Sequence, residues 1–243
     1  MTGKAMKRIH QLLLILPVIG AFHVPTDAQN TGVQSEILAE IRQKAEITYR
    51  KYIGTESKRH IISMEYNSET GELLNRSEVI VIRSEYFHKR PENKALYFVK
   101  NGKELPPGEY NYRTRDPIYL PFDPVNGEKY DYRIIGKTEI GGTKCYEIQV
   151  IPREKTSRHF SGKIYFTANG LDLLYINGTI ANYPIFVKEL SISMHFKTLN
   201  GEPVASRGSF TIYVDLPIFF PNRKIVSSFT SSNENLLLKE NDQ

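Results

Sequence analysis

Leu190-Ser191-Ile192-Ser193-Met194-His195-Phe196-Lys197-Thr198-Leu199-Asn200-Gly201 is the stretch on which the fold turns. Its apolar residues fall at every second position, and the residues between them are polar. That period belongs to a β-strand with one buried and one wetted face. Asn200-Gly201 suits the left-handed conformations of a two-residue hairpin turn. Beyond the turn, Val204 to Asp215 resumes the pattern, with Phe210, Ile212 and Val214 alternating with Thr211, Tyr213 and Asp215.

The same grammar extends in both directions. Upstream, Lys163–Thr167 and Leu173–Ile180 flank Asn169-Gly170, and Tyr130–Glu139 and Lys144–Ile151 flank Gly141-Gly142. Leu96–Val99 runs into Asn101-Gly102, and His60–Asn67 and Glu78–Phe87 precede it; Lys224–Thr230 follows the quoted hairpin. About ten or eleven strands result, joined by connections too short for parallel crossovers. The fold class is mainly β (α+β): a large curved antiparallel sheet forming an open or incomplete barrel, with one N-terminal amphipathic helix packed on it. The helix is read from Ile37, Leu38, Ile41, Ala45, Thr48, Tyr49 and Tyr52 at three-four spacing, with Gly54 as its stop.

The N-terminus has a secretory pattern. Lys4, Lys7 and Arg8 precede an apolar run from Leu12 to Phe22, and small residues Thr26 and Ala28 follow. The run is about half of what a spanning helix needs. The expected organisation is a signal peptide over 1–28, a single β domain over 29–231 and a flexible tail over 232–243. The expected location is the periplasm, with the protein soluble after cleavage near Ala28, and with no transmembrane segment in the mature chain. The formal charge of +5 is spread along the chain without a Lys/Arg block, so nucleic acid is not an expected partner.

Chemistry is sparse. His60, His88, His159 and His195 lack metal-ligand spacing, and neither a nucleophile elbow nor a phosphate loop is present. The expectation is a non-enzyme with no cofactor and no metal. Cys145 is the single cysteine and reads as a small buried residue. Arg158-His159-Phe160-Ser161-Gly162 reads as a polar loop entering a strand, or as a cradle for an anionic head group beside an apolar cavity. Lys103 to Glu128 carries five prolines interleaved with Tyr110, Tyr112, Tyr119 and Phe122; such a stretch is a stiffened surface loop or the rim of a cavity.

Gly141-Gly142-Thr143-Lys144-Cys145-Tyr146-Glu147-Ile148-Gln149-Val150-Ile151-Pro152, followed by Gly162-Lys163-Ile164-Tyr165-Phe166, resembles the strand, proline, loop, strand passage of the LolA-like superfamily of bacterial envelope proteins. Phe186-Val187-Lys188-Glu189-Leu190 resembles the later strands of that superfamily. The likeness runs from about Ile37 to Phe229. It implies an unclosed barrel whose concave face takes the acyl chains of a lipid or lipoprotein, in outer-membrane lipoprotein sorting. The proline-rich stretch stands where the family has lid helices, which proline disfavours.

One helix cannot cover ten strands, so either the sheet closes on itself or part of the apolar face stays open to a ligand. The candidate lining is Ile164, Phe166, Leu190, Ile192, Met194, Phe196, Phe210, Ile212 and Val214; each is also an ordinary core position. Two other functions fit the sequence. One is an envelope interaction or sensing module presenting Tyr110, Tyr112 and Tyr119 to a protein. The other is a hydrolase built on Ser161, His159 and a carboxylate.

Overall fold

The computed structural model describes residues 27–87, 90–110, 118–217 and 220–238. Helix α1 (Asp27–Lys51) leads without a linker into β1 (Tyr52–Asn67), followed by β2 (Leu73–Tyr86), β3 (Glu92–Lys100) and the two-residue β4 (Lys103–Glu104). Then come β5 (Tyr130–Ile140), β6 (Thr143–Pro152), β7 (Phe160–Thr167), β8 (Leu173–Ile180), β9 (Val187–Leu199), β10 (Glu202–Val214) and β11 (Arg223–Leu238). All form one sheet in the order β4-β3-β2-β1-β11-β10-β9-β8-β7-β6-β5. Each pairing is antiparallel, and the sheet is open between β4 and β5. This is the large antiparallel sheet with one N-terminal helix that the alternation predicts.

A single row of paired residues shows how the alternation becomes a core. Phe98, Val79, Ile61, Phe229, Gly208, Met194, Ile176, Ile164, Ile148 and Ile134 are neighbours across ten successive strands. Only Gly208 lacks a side chain, and a Cβ there would sit 2.5 Å from the Phe229 ring and 2.9 Å from Met194. The next row changes character part-way. Tyr132, Val150, Gly162, Gly178, Ile192 and Phe210 give way to Ser227, Ser63 and Ser77. The inner face is therefore apolar from β5 to β10 and mixed beyond. Ser63 and Ser227 share a hydrogen bond of 2.8 Å there, and Arg59 lies 4.6 Å over the Phe229 ring.

The main core sits under α1, with Ile41, Ile148, Val150, Phe160, Ile164 and Ile176 buried. A smaller cluster of Val79, Val81 and Phe98 lies under Leu105 and Tyr110. The connection from β4 to β5 joins opposite sheet edges; its described residues contribute to both clusters, Ile118, Tyr119 and Phe122 packing on the main one.

Three expectations need correction. Gly54 does not stop the helix: it lies inside β1, where a Cβ would collide with the Glu85 carbonyl of β2. The chain after 231 is not a tail as far as it is described, because β11 continues to Leu238 and pairs with Tyr52–Lys58 of β1. Asn169-Gly170 is not a two-residue turn; the bend extends through Leu171, which also has a positive φ of 51°. Of the expected signal peptide over 1–28, residues 1–26 lie outside the described residues, as do 239–243 at the chain end.

Candidate functional site

A cavity of about 300 Å³ lies at the end of the sheet that carries the β7–β8 and β9–β10 turns. Helix α1 forms one wall through Ile41, Ala45, Thr48 and Tyr49. Ile164, Phe166 and Phe196 rise from the sheet, with Leu171 and Leu173 beside them. The third wall is the Leu120–Pro124 strap. Ile47 and Leu120 are exposed at the mouth, at 57% and 43%.

The polar groups around this cavity are engaged with one another. Lys44 Nζ lies 2.9 Å from Asp172 and also donates to the Gly170 carbonyl. Thr48 donates its hydroxyl to the buried Glu202. These contacts tie α1 to the two turns that frame the cavity. The ion pair is 40% exposed at Lys44 and 35% at Asp172, so it positions the helix more than it stabilises it. What remains facing inward is hydrocarbon and aromatic surface, suited to apolar contact.

Two residues are held in place by unusual backbone. Phe122 has φ 62° and Leu171 has φ 51°. The left-handed region costs an L-residue about 1–2 kcal/mol. Both side chains are buried at 7% exposure and line the cavity. The Phe122 ring lies 4.1 Å from Tyr132 and 5.2 Å from Phe166. The Tyr132 hydroxyl accepts from the Phe122 N–H at 2.9 Å and donates to the Gly127 carbonyl at 3.0 Å. Burial pushes the Tyr132 phenol up to about 12, so it stays a protonated donor.

The nine lining positions read from the sequence are distributed unevenly. Ile164, Phe166 and Phe196 face the cavity. Leu190, Ile192, Met194 and Phe210 belong to the main core. Ile212 and Val214 are partly buried and lie outside both. The strap wall falls in the Lys103–Glu128 stretch, one of whose two readings is a cavity rim, whereas the α1 wall was missed as lining although the helix's own apolar stripe marks a surface that must be covered.

The Arg158–Gly162 string enters β7 and anchors the strap instead of facing the cavity. The Arg158 carbonyl accepts from the Tyr119 N–H at 2.7 Å, and the Arg158 guanidinium stacks 4.3 Å over the Tyr119 ring. His159 is buried at 3% exposure between Tyr119 and Tyr130, with Nδ1 2.6 Å from the Thr156 hydroxyl and no partner for Nε2. Burial holds its pKa below the usual imidazole value. No carboxylate bonds to it among the described residues, so Ser161 and His159 do not form an acid–base–nucleophile set here. Tyr110 and Tyr119 are not an exposed aromatic patch: they pack on Phe98 at 5.4 Å and His159 at 5.3 Å, and Tyr112 lies outside the described residues. Among the described residues, no cluster of His, Cys, Asp and Glu could hold a metal, and no helix is long and apolar enough to cross a membrane.

Apart from Phe87, which stacks on Tyr49 of α1, the lining residues outside the helix lie within residues 109–232, the segment matched by a family model. The chain belongs to the family of unknown function DUF5686. Helix α1 and Phe87 precede the DUF5686 match. No curated protein matches the chain. Among solved structures, a domain described as an outer membrane lipoprotein-sorting protein from Vibrio parahaemolyticus is similar at 10% identity and a TM-score of 0.42, over 88% of this chain and 97% of that one. A LolA superfamily protein from Nitrosomonas europaea is similar at 10% identity and a TM-score of 0.38, over 84% and 95%. A DUF1329 family protein from Desulfovibrio piger is similar at 11% identity and a TM-score of 0.38, over 82% and 93%.

Proposed function

We propose that this DUF5686 protein is an exported, non-enzymatic binding protein of the cell envelope that holds an apolar ligand in the cavity under α1. The acyl chains of a lipid or lipoprotein are the ligand class, and outer-membrane lipoprotein sorting is the process. The observation that carries the reading is the cavity itself. It is open at its mouth, walled by hydrocarbon, and ringed by polar groups that already satisfy one another. A volume of about 300 Å³ is at the small end of ligand sites, so one acyl chain fits better than a whole multi-chain lipid. Each buried methylene contributes about 0.8 kcal/mol, enough for a single chain to outweigh the cost of immobilising it.

Native mass spectrometry of protein exported from a membrane-competent host tests this. A lipid-bearing mass is expected, and apo mass alone overturns the reading. Ala45→Leu places a larger side chain against the cavity from α1. It is expected to lose the bound mass while unfolding within about 1 kcal/mol of wild type. An unchanged lipid fraction in that variant would place the ligand elsewhere.

A second reading, an envelope interaction or sensing module, draws support from the filled interior. Ile148, Val150 and Phe160 are at most 1% exposed and lie outside the cavity lining, so most of the sheet face has no room for a ligand. Persistent apo mass together with a captured envelope protein would favour that reading.

A further inference from the structure

The end of the sheet opposite the cavity carries apolar side chains that the fold does not bury. The β8–β9 loop presents Tyr183, Ile185 and Phe186 at 37%, 81% and 51% exposure. The β10–β11 connection presents Phe220 at 61%. The two loops are joined, since the Phe186 carbonyl accepts from the Asp215 N–H at 2.8 Å. Each is also closed on itself: Val187 N–H donates to Pro184 O at 3.0 Å, and Phe220 N–H to Pro217 O at 2.9 Å. Phe186 has φ 70°, the same left-handed strain as the two cavity residues, yet its side chain projects outward. Apart from asparagines, Phe122, Leu171 and Phe186 are the described non-glycine residues with positive φ. Strain of this kind persists where a side chain must be aimed.

The chemistry is layered along the protein axis. No charged residue occurs from Ala181 to Val187 or from Leu216 to Asn222. Behind these uncharged tips stands a collar of paired charge: three cations, Lys188, Arg223 and Lys224, and four acids, Asp215, Glu189, Glu65 and Glu69, the last accepting from Asn222 at 3.3 Å. Lys188 lies 3.8 Å from Asp215, Arg223 lies 3.5 Å from Glu65, and Lys224 sits 5.6 Å over the Tyr213 ring. Ile and Phe foremost, with Tyr and paired Lys/Arg and carboxylate groups one step behind, matches a bilayer interface: hydrocarbon inside, aromatic and zwitterionic polar groups at the head-group level. Convex apolar tips on hydrogen-bonded turns need no complementary pocket to enter a bilayer.

We infer that Tyr183, Ile185, Phe186 and Phe220 form a membrane-docking tip by which the protein seats on a phospholipid surface, at the end of the sheet remote from its cavity. The chain contains no tryptophan, so Ile185→Trp supplies a sole indole reporter, and Glu139→Trp at the β5–β6 end is its control. On adding phosphatidylethanolamine/phosphatidylglycerol vesicles, emission of the Ile185→Trp protein is expected to shift to the blue and to be quenched by brominated lipid, with no change for the control. Ile185→Ser combined with Phe220→Ser is expected to weaken vesicle co-sedimentation about 100-fold, from the burial lost at two large side chains, with an unchanged unfolding curve. Three results would overturn the inference: no shift on vesicles, equal shifts at both positions, or a vesicle-independent shift that grows with protein concentration. The last would assign the tip to contact between two copies of the chain. None of these readouts depends on the cavity, so an empty cavity and a failed docking test are separate outcomes.

Discussion

Phe122 offers a test in which the backbone and the side chain make opposite demands. Its ring is 7% exposed and packs on Tyr132 and Phe166. Truncating a buried Phe to Ala costs about 3–5 kcal/mol. Part of this ring already fronts the cavity, so fewer contacts are lost and about 3 kcal/mol is expected for Phe122→Ala. Alanine keeps the strain of φ 62°. Phe122→Gly removes the same ring but also releases about 1–2 kcal/mol of left-handed strain. Against that, glycine gives up about 0.4–1 kcal/mol through a freer unfolded chain. The glycine variant should therefore be more stable than the alanine variant by about 1 kcal/mol, the reverse of the usual order. Urea unfolding followed by far-ultraviolet circular dichroism measures both. In thermal scans a chain of this size moves about 2–4 °C per kcal/mol, so Phe122→Ala should melt about 6–12 °C below wild type, with Phe122→Gly between them. An alanine variant as stable as the glycine variant would show that the strap is not held in the left-handed region, and the reading of Phe122 as an aimed cavity residue would fall with it.

The sheet's tight passage at β7–β8 gives a second test. A Cβ on Gly178 would lie 2.7 Å from Gly162 Cα and 2.7 Å from the Phe160 ring, and would collide with the Ser161 carbonyl. Backbone cannot yield as side chains can, so Gly178→Ala should cost about 3 kcal/mol, against about 1–2 kcal/mol for Gly208→Ala, whose neighbours are the Phe229 ring and Met194; equal losses in denaturant titration would contradict this. Burial alone would raise the Glu85 pKa, but the Arg59 and Arg83 guanidiniums overcome it and bring the group to about 2 from 4.5. Because the folded value is the lower one, this contribution to stability is complete above pH 4.5 and fades as pH falls from 4.5 through about 2. Stability of the wild type should fall more steeply across that window than that of Glu85→Gln, and parallel profiles would refute the linkage. Cys145 is fully buried and burial raises its thiol pKa, so maleimide labelling should proceed at the rate of global unfolding; faster labelling would mean that β6 opens locally.

The sheet was legible because its residues state their own environment. Every second residue from Leu190 to Phe196 is apolar, and Asn101-Gly102, Gly141-Gly142 and Asn200-Gly201 adopt the paired positive φ values that such dipeptides favour. The missed part of β11 shows the opposite condition. Ser231 to Asn235 has no apolar alternation, and it becomes strand because β1 lies beside it with free backbone groups to satisfy, a tertiary cause with no local sign. The site was half legible for the same reason. Ile164, Phe166 and Phe196 advertise a buried face, but not which part of that face stays unfilled. That is decided by where a 25-residue helix ends and where the strap crosses, elements far apart in sequence. Phe122, Leu171 and Phe186 are the harder case. Nothing in a Phe or Leu announces a left-handed backbone, whereas glycine or asparagine would have done so. Their strain must be sustained by the surrounding packing, and the three positions it marks are two walls of the cavity and the apolar tip at the far end of the sheet. Relieving it at Phe122 and at Phe186 with glycine should therefore separate the two activities: the first change loosens ligand retention without altering vesicle binding, and the second weakens vesicle binding without altering the ligand-bound fraction.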